Sequence, residues 1–215
     1  MSLSMLPAGL RVRDVGHLVT VGHRKLLGIA GPPGSGKTTL AEQVATAVGA
    51  QHAVVVSMDG FHLAQAELVR LGRAERKGAP DTFDAEGFVA LVERLKVAGP
   101  ATIYAPVFHR DVEEPIAGAC AVGGDVSLVV IEGNYLLLDD QPWNRLGSLF
   151  DETWYVDVDT VQRRDELIGR HVRFGRSLLA ATEWVDRSDE VNAARVATAR
   201  HRATYIVNRS ADQGC

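Results

Sequence analysis

The sequence predicts an α/β protein, a three-layer α/β/α sandwich in which a mainly parallel central sheet lies between helices. Three observations predict it. Short apolar runs recur along the chain with helical segments between them, two of the runs stop at an acidic residue, and the first flows into a glycine-rich turn that opens a helix. Strands alternating with helices give parallel pairing, and a sheet covered on both faces accounts for strands that are apolar throughout.

The run "KLLGIAG", residues 25–31, is a buried strand ending in glycine. Beyond it Leu40, Val44 and Val48 recur at helical spacing among alanines, and Gly49 stands where a helix C-terminus favours glycine. "HAVVVSM" reads as a second buried strand ending at Asp59. Over "AEGFVALVERLKVAG", Phe88, Leu91, Val92 and Leu95 share one helical face, with Asp84 placed to cap the first turn. A third strand, Val126 to Ile131, stops at Glu132, and "ETWYVDVD" alternates in part as a fourth. "TVQRRDELIGRHVRFGRSLLAATEWV" reads as one long charged helix or a pair, and "ATYIV" as a last strand. No repeat or low-complexity linker divides the chain, so residues 1–215 are expected to form one domain with a helical lid at about 163–190.

With 46% apolar and 23% charged residues the composition is that of an ordinary globular protein. A net charge of −4 gives no general reason to bind nucleic acid or an anionic membrane. The longest apolar runs, such as "SLVVIEGNYLLL", are interrupted by Glu132 and Asn134 and fall short of the roughly 20 residues of a spanning helix. The start "MSLSMLPAGLRVRDVG" lacks the basic and apolar regions of a secretion signal, so a cytoplasmic location is expected. Cys120 and Cys215 offer neither a disulfide framework nor metal spacing and read as incidental thiols.

Residues 31–38, "GPPGSGKT", satisfy the phosphate-loop pattern G-x-x-x-x-G-K-[ST] between a strand and a helix, which makes the fold that of a P-loop NTPase. Its glycines let backbone N–H groups converge on phosphate, and the following helix points its N-terminus at the same anion. Gly31, Pro32, Pro33, Gly34, Ser35, Gly36, Lys37, Thr38 and Thr39 are therefore the candidate ATP-binding residues. Lys37 supplies charge for the outer phosphates, and the Thr38 hydroxyl can ligate Mg²⁺. Glu132, at the carboxyl end of a buried strand, faces the crevice where open α/β sheets bind ligands and is the second candidate for Mg²⁺.

The chain lacks the Asn-Lys-x-Asp segment of a GTPase and the Leu-Ser-Gly-Gly signature of a transport ATPase. What remains is transfer of a phosphoryl group to a small acceptor, which needs a residue to receive or orient the acceptor's proton. Asp59, in "SMDGFH" at the end of the second strand, is the candidate, with Gly60 permitting a sharp exit and His62 facing the acceptor. Arg163, Arg164, Arg170, Arg173 and Arg176 form a basic run in which helical spacing brings Arg170 beside Arg173 and Arg173 beside Arg176. Guanidinium groups on a closing lid stabilise a migrating phosphoryl group and exclude water.

Together these motifs resemble the phosphoribulokinase, uridine kinase and pantothenate kinase family of P-loop kinases, most of all its uncharacterised or fructose-transport-associated subgroup, over roughly Lys25 to Val207. The resemblance implies that "GPPGSGKTT" binds ATP, that Asp59 is base or orienter, that Glu132 assists the metal and that Arg170, Arg173 and Arg176 belong to the lid. Uridine kinases read F-D-H-P-D-A-F-D where this chain has "RKGAPDTFD", and the first Asp of that string grips the ribose. Lys77 and Gly78 stand in its place here, whereas pantothenate kinases carry R-K-G-F-P-E-S-Y-D. In "APVFHRD", His109 occupies the position of a family Asp. A ribonucleoside acceptor is thereby disfavoured, leaving a sugar, polyol or pantothenate-like molecule with Arg76, Lys77, His109 and Arg110 as candidate contacts. A nucleoside kinase with another sugar clamp, or a regulator that binds nucleotide without transfer, are the alternative readings. Related kinases often pair through their sheets or helices, so a homodimer is an open expectation. "RSDEVNAARV" resembles a Ser-Asp-x-x-Asn element of the uncharacterised subgroup that carries no assigned chemistry.

Overall fold

A computed structural model describes residues 2–3, 15–20, 22–97 and 99–209. The reading of the first residues as free of a secretion signal falls mostly on residues outside these, as does Cys215. Among the described residues Cys120 is a free, half-buried thiol, and no helix is long and apolar enough to cross a membrane.

Six parallel strands form the sheet, in the order β1 (Ser2–Leu3), β8 (Tyr205–Arg209), β7 (Glu152–Val158), β2 (Lys25–Ala30), β6 (Leu128–Gly133) and β3 (Ala53–Ser57). The central strands are buried on both faces, as their unbroken apolar runs require. Alternate residues point to opposite layers. Leu27, Ile29, Leu128 and Val130 meet Leu40, Ala41 and Val44 of α1 (Lys37–Val48) on one face. Leu26, Val129 and Ile131 meet Phe88, Val92 and Leu95 on the other. Those three residues lie on a helix that the sequence places at 85–99 and that ends at Lys96. It follows α2 (Gln65–Arg70) and is named α3 (Ala85–Lys96); Asp84 accepts a hydrogen bond from Gly87 N–H at its start.

The charged segment after β7 is a pair of helices, α4 (Thr160–Arg173) and α5 (Leu178–Trp184), because Gly175 adopts φ +96° and ends the first. A π-helical turn, Val185–Asp189, leads on into α6 (Glu190–Thr198), which the sequence reading left unassigned.

Also unassigned were β4 (Ile103–His109) and β5 (Glu114–Val122), an antiparallel hairpin separate from the main sheet. Its backbone reaches the turn after β3 so closely that a Cβ on Gly60 would lie 2.2 Å from the Pro106 carbonyl oxygen. Only a residue without a side chain lets the hairpin approach there.

Phe88 is fully buried between sheet, Phe61 and Trp143. Phe88→Ala is expected to cost about 3–5 kcal/mol, read as a lower urea midpoint with unchanged slope.

Candidate active site

Parallel register brings three chemical groups to one edge of the sheet. Glu132 of β6 pairs on one side with Ile29 of β2 and on the other with Ser57 of β3. The phosphate loop follows β2, and Asp59 lies in the 3₁₀ turn Met58–Phe61 that follows β3. Glu132 therefore sits between them at the carboxyl edge, where such sheets bind ligands.

The loop ends in Gly36 with φ +86°, a left-handed residue that turns the chain into α1. α1 has no side-chain cap, in contrast to α3 and to α4, where the Asp159 carboxylate accepts from two backbone N–H groups. The N–H groups of its first turn have no intrahelical acceptor, and an uncapped helix start of this kind is an anion site. The residues present thus fit a phosphate chain. Lys37 is buried and donates from Nζ to the Pro32 carbonyl at 3.0 Å. Burial pulls its ammonium down to about 8 against the opposing pull of Glu132 and Asp59, with Arg170 and Arg163 adding to the lowering. An arriving phosphate restores the charge that burial disfavours.

Glu132 is 4% exposed and accepts from the Thr38 hydroxyl at 3.3 Å. Burial raises its pKa, the Asp59 carboxylate adds to the rise, and Lys37, Ser57 and Thr38 oppose it. A carboxylate and a hydroxyl beside a phosphate site are hard oxygen donors of the kind Mg²⁺ takes.

Two cavities open on either side of the loop. One, of about 620 Å³, is lined by Pro33, Gly34, Lys37, Thr38, Asp59, His62, Lys77, Arg110, Glu132, Arg170 and Arg176, among others. The other, of about 750 Å³, is lined by Gly34, Gly36, Lys37, Thr38, Thr39, Arg170, Arg173 and Arg209. Gly34, Lys37, Thr38 and Arg170 border both, so the loop and one arginine of α4 divide the first cavity from the second. Burial, with Arg110 beside it, lowers the Arg170 pKa.

Asp59 and the loop share the first cavity, as the sequence reading requires. Asp59 Oδ2 lies 3.6 Å from the Arg110 guanidinium. Arg110 also lies over Phe108 and over Phe174 of the lid. The Asp59 carbonyl accepts from His62 Nδ1 at 2.9 Å, since a carbonyl cannot donate, which leaves Nε2 as the acceptor of the neutral ring. His62 packs at a tilt against both Phe83 and Phe108. Lys77 donates to the Glu113 carbonyl at 2.8 Å and lies over Phe108.

Several expectations need correction. His109 is exposed, pairs across the hairpin with Glu114 and lines neither cavity, while its strand neighbour Arg110 does. Arg76 is held by Asp81 and also lines neither. Arg176 is not one helical turn from Arg173, because α4 ends between them. It lies 4.2 Å over Trp184 and lines the first cavity, and Arg173 lines the second. Arg163 and Arg164 hold the lid in place: Arg163 binds Glu190 and the Pro33 carbonyl, and Arg164 binds Asp186. Pro32 and Ser35 are buried inside the loop rather than exposed to a cavity. Sequence reasoning missed Arg209, whose guanidinium forks onto Glu166 beside Gly36. It also gave no role to Asp189 and Asn192, which line the first cavity and whose one signal was the Ser-Asp-x-x-Asn spacing.

The fold and this site define a P-loop kinase, and comparison with known proteins agrees. A model described as "ATPase family associated with various cellular activities (AAA)" matches residues 27–85, the span from β2 to the start of α3. A Schizosaccharomyces pombe protein named "putative uridine kinase" is 35% identical over 179 residues, covering 79% of this chain and 76% of its own. A crystal structure of a "putative fructose transport system kinase" from Silicibacter is 36% identical with a TM-score of 0.82, covering 90% of this chain and 95% of that one. A pantothenate kinase from Nocardioides is 31% identical over 158 residues, covering 69% of this chain and 48% of its own. The chain belongs to the uridine kinase, phosphoribulokinase and pantothenate kinase family of P-loop kinases, and ATP binding comes with that membership.

Burial holds the His62 ring below its ordinary value, with Lys77 and Arg110 acting in the same direction and the Asp59 carboxylate and carbonyl opposing. In the unfolded chain the ring takes a proton near pH 6.5. As pH falls below that value, the unfolded state binds a proton that the folded state refuses, and stability is lost. His62→Gln is therefore expected to lose less stability than the wild type between about pH 7 and about pH 5 in urea titrations; equal losses contradict the burial account.

Proposed function

We propose that this chain transfers the γ-phosphoryl group of ATP to a hydroxyl of a small metabolite, a sugar, polyol or pantothenate-like molecule. The observation that carries the reading is the single cavity shared by Asp59 and the phosphate loop, with a second cavity across the loop to take the nucleoside.

The amides at the start of α1 and the Lys37 ammonium hold the β- and γ-phosphates. Thr38 and Glu132 hold Mg²⁺, which neutralises charge on the phosphoryl oxygens. Arg170, at the border of the two cavities, faces the group in transit, and Arg173 acts from the nucleotide side. Asp59 takes the proton of the acceptor hydroxyl as its oxygen bonds to the γ-phosphorus. The bond from that phosphorus to the β–γ bridging oxygen breaks, and its electron pair leaves with ADP. Arg110 steadies the Asp59 carboxylate from 3.6 Å, and the hydrogen bond from His62 fixes the turn that carries it.

The acceptor lies against Lys77, Arg110, His62 and Arg176. The printed name of the Schizosaccharomyces pombe relative favours a second reading, a nucleoside kinase. Lys77 and Gly78 at the expected ribose clamp argue against it.

Asp59→Asn is expected to keep nucleotide binding, read as thermal stabilisation by a non-hydrolysable ATP analogue, and to lose about 10²–10⁴-fold in kcat on the acceptor. The acceptor is found by ADP release across sugars, polyols, pantothenate, uridine and cytidine. Near-normal turnover by the variant removes Asp59 from its role. Hydrolysis indifferent to every metabolite favours a nucleotide-dependent regulator.

A further inference from the structure

Part of the wall of the acceptor cavity is built from residues that neither the family comparison nor the transfer step uses. Asp189 ends the π-helical turn and Asn192 lies three residues on, so helical spacing sets them side by side. π-turns persist where function repays their poorer geometry. Both side chains line the cavity and both residues are buried, Asn192 at 6% exposure and the Asp189 side chain at 11%.

Their hydrogen bonding is incomplete. His171 of the lid helix binds Asp189 Oδ2 at 2.8 Å, which leaves Oδ1 without a protein partner among the described residues. Asn192 makes no side-chain hydrogen bond among the described residues, although its carboxamide carries two donors and an acceptor. These polar atoms are not sealed away from solvent but face the cavity, where a ligand can supply the partners that the protein does not. Gly78, at φ +100°, borders Asn192, and a Cβ there would stand at ordinary contact distance, 3.9 Å, from Asn192 Nδ2.

We propose that Asp189 and Asn192 form a second, hydroxyl-binding subsite for the acceptor, so that the molecule phosphorylated here is a polyol that presents a pair of neighbouring hydroxyls to this wall. The proposal rests on the kinase reading above and narrows its acceptor. A hydroxyl both donates and accepts. It can give its proton to Asp189 Oδ1 and receive one from Asn192 Nδ2, while its neighbour donates to Asn192 Oδ1. An anionic group would meet the Asp189 carboxylate at close range, and an ammonium, a donor only, would leave the Asn192 N–H groups unpaired. His171 of α4 holds Asp189 in place.

The test uses the full chain and Asn192→Leu, which keeps the volume of the side chain and removes its polar atoms. Without any ligand, the variant is expected to melt no lower than the wild type, because the amide has no protein partner to lose. A clear fall in Tm shows a structural asparagine and overturns the proposal. ADP release is then measured with D-fructose, D-ribose and ribitol, with pantothenate, whose hydroxyls are not adjacent, and with ethanolamine. At least one polyol is expected to be turned over, with KM raised at least about tenfold in Asn192→Leu, kcat changed far less, and stabilisation by the ATP analogue unchanged. Turnover of pantothenate or ethanolamine alone overturns the subsite and leaves the kinase reading standing. Release of ADP with none of the five overturns the subsite, and if a wider metabolite panel also gives none, the kinase reading falls with it.

Discussion

Parallel strand register is the constraint on which the rest of this molecule depends. Because β2, β6 and β3 run side by side in one direction, whatever follows their carboxyl ends is delivered to one edge. That edge receives the phosphate loop, Glu132 and Asp59 in spatial order, although they are far apart in sequence. The cost is a concentration of charge in a desolvated place. Lys37 is pulled down by burial and Glu132 pushed up, each restrained by the other. A site in that state favours a polyanion together with a cation, since both relieve what burial imposes.

A second layer of organisation separates scaffold from chemistry within one basic run. Arg163 and Arg164 lock α4 onto the turn that leads into α6, and Arg163 also reaches the carbonyl of Pro33. α4, α6 and the phosphate loop are thereby joined through one buried guanidinium. Arg170, Arg173 and Arg176 keep their charge for the cavities. Gly175 decides how they divide, because ending α4 there sends Arg176 to the cavity that holds Asp59 and leaves Arg173 on the other.

The parts of this arrangement that could be read from the sequence are those with local causes. A phosphate loop is spelled by consecutive residues, and Asp59 and Glu132 announce themselves as acids ending apolar strands. The β4–β5 hairpin was not legible. Its strands are largely exposed, with Tyr104 and Ile116 facing out, so the alternation that marks a half-buried strand is blurred, and Pro106 and Gly118 break it further. With the hairpin unplaced, nothing local told His109, which ends β4, from Arg110 in the turn beyond it, and the sequence offered both as contacts although only Arg110 lines the cavity. Asp189 and Asn192 were visible only as a spacing. Their burial is set by α4 and the 74–78 segment, which no local pattern foretells.

The central claim is that the terminal phosphate and the Asp59 carboxylate face each other across one open cleft. A crystal structure with a non-hydrolysable ATP analogue and Mg²⁺ tests it without knowledge of the acceptor. The account predicts the phosphates wrapped by residues 31–38, the nucleoside in the cavity lined by Arg173 and Arg209, and the γ-phosphate turned toward Asp59 with no side chain between them. A γ-phosphate directed away from Asp59, or a nucleoside lying in the Asp59 cavity itself, would contradict it.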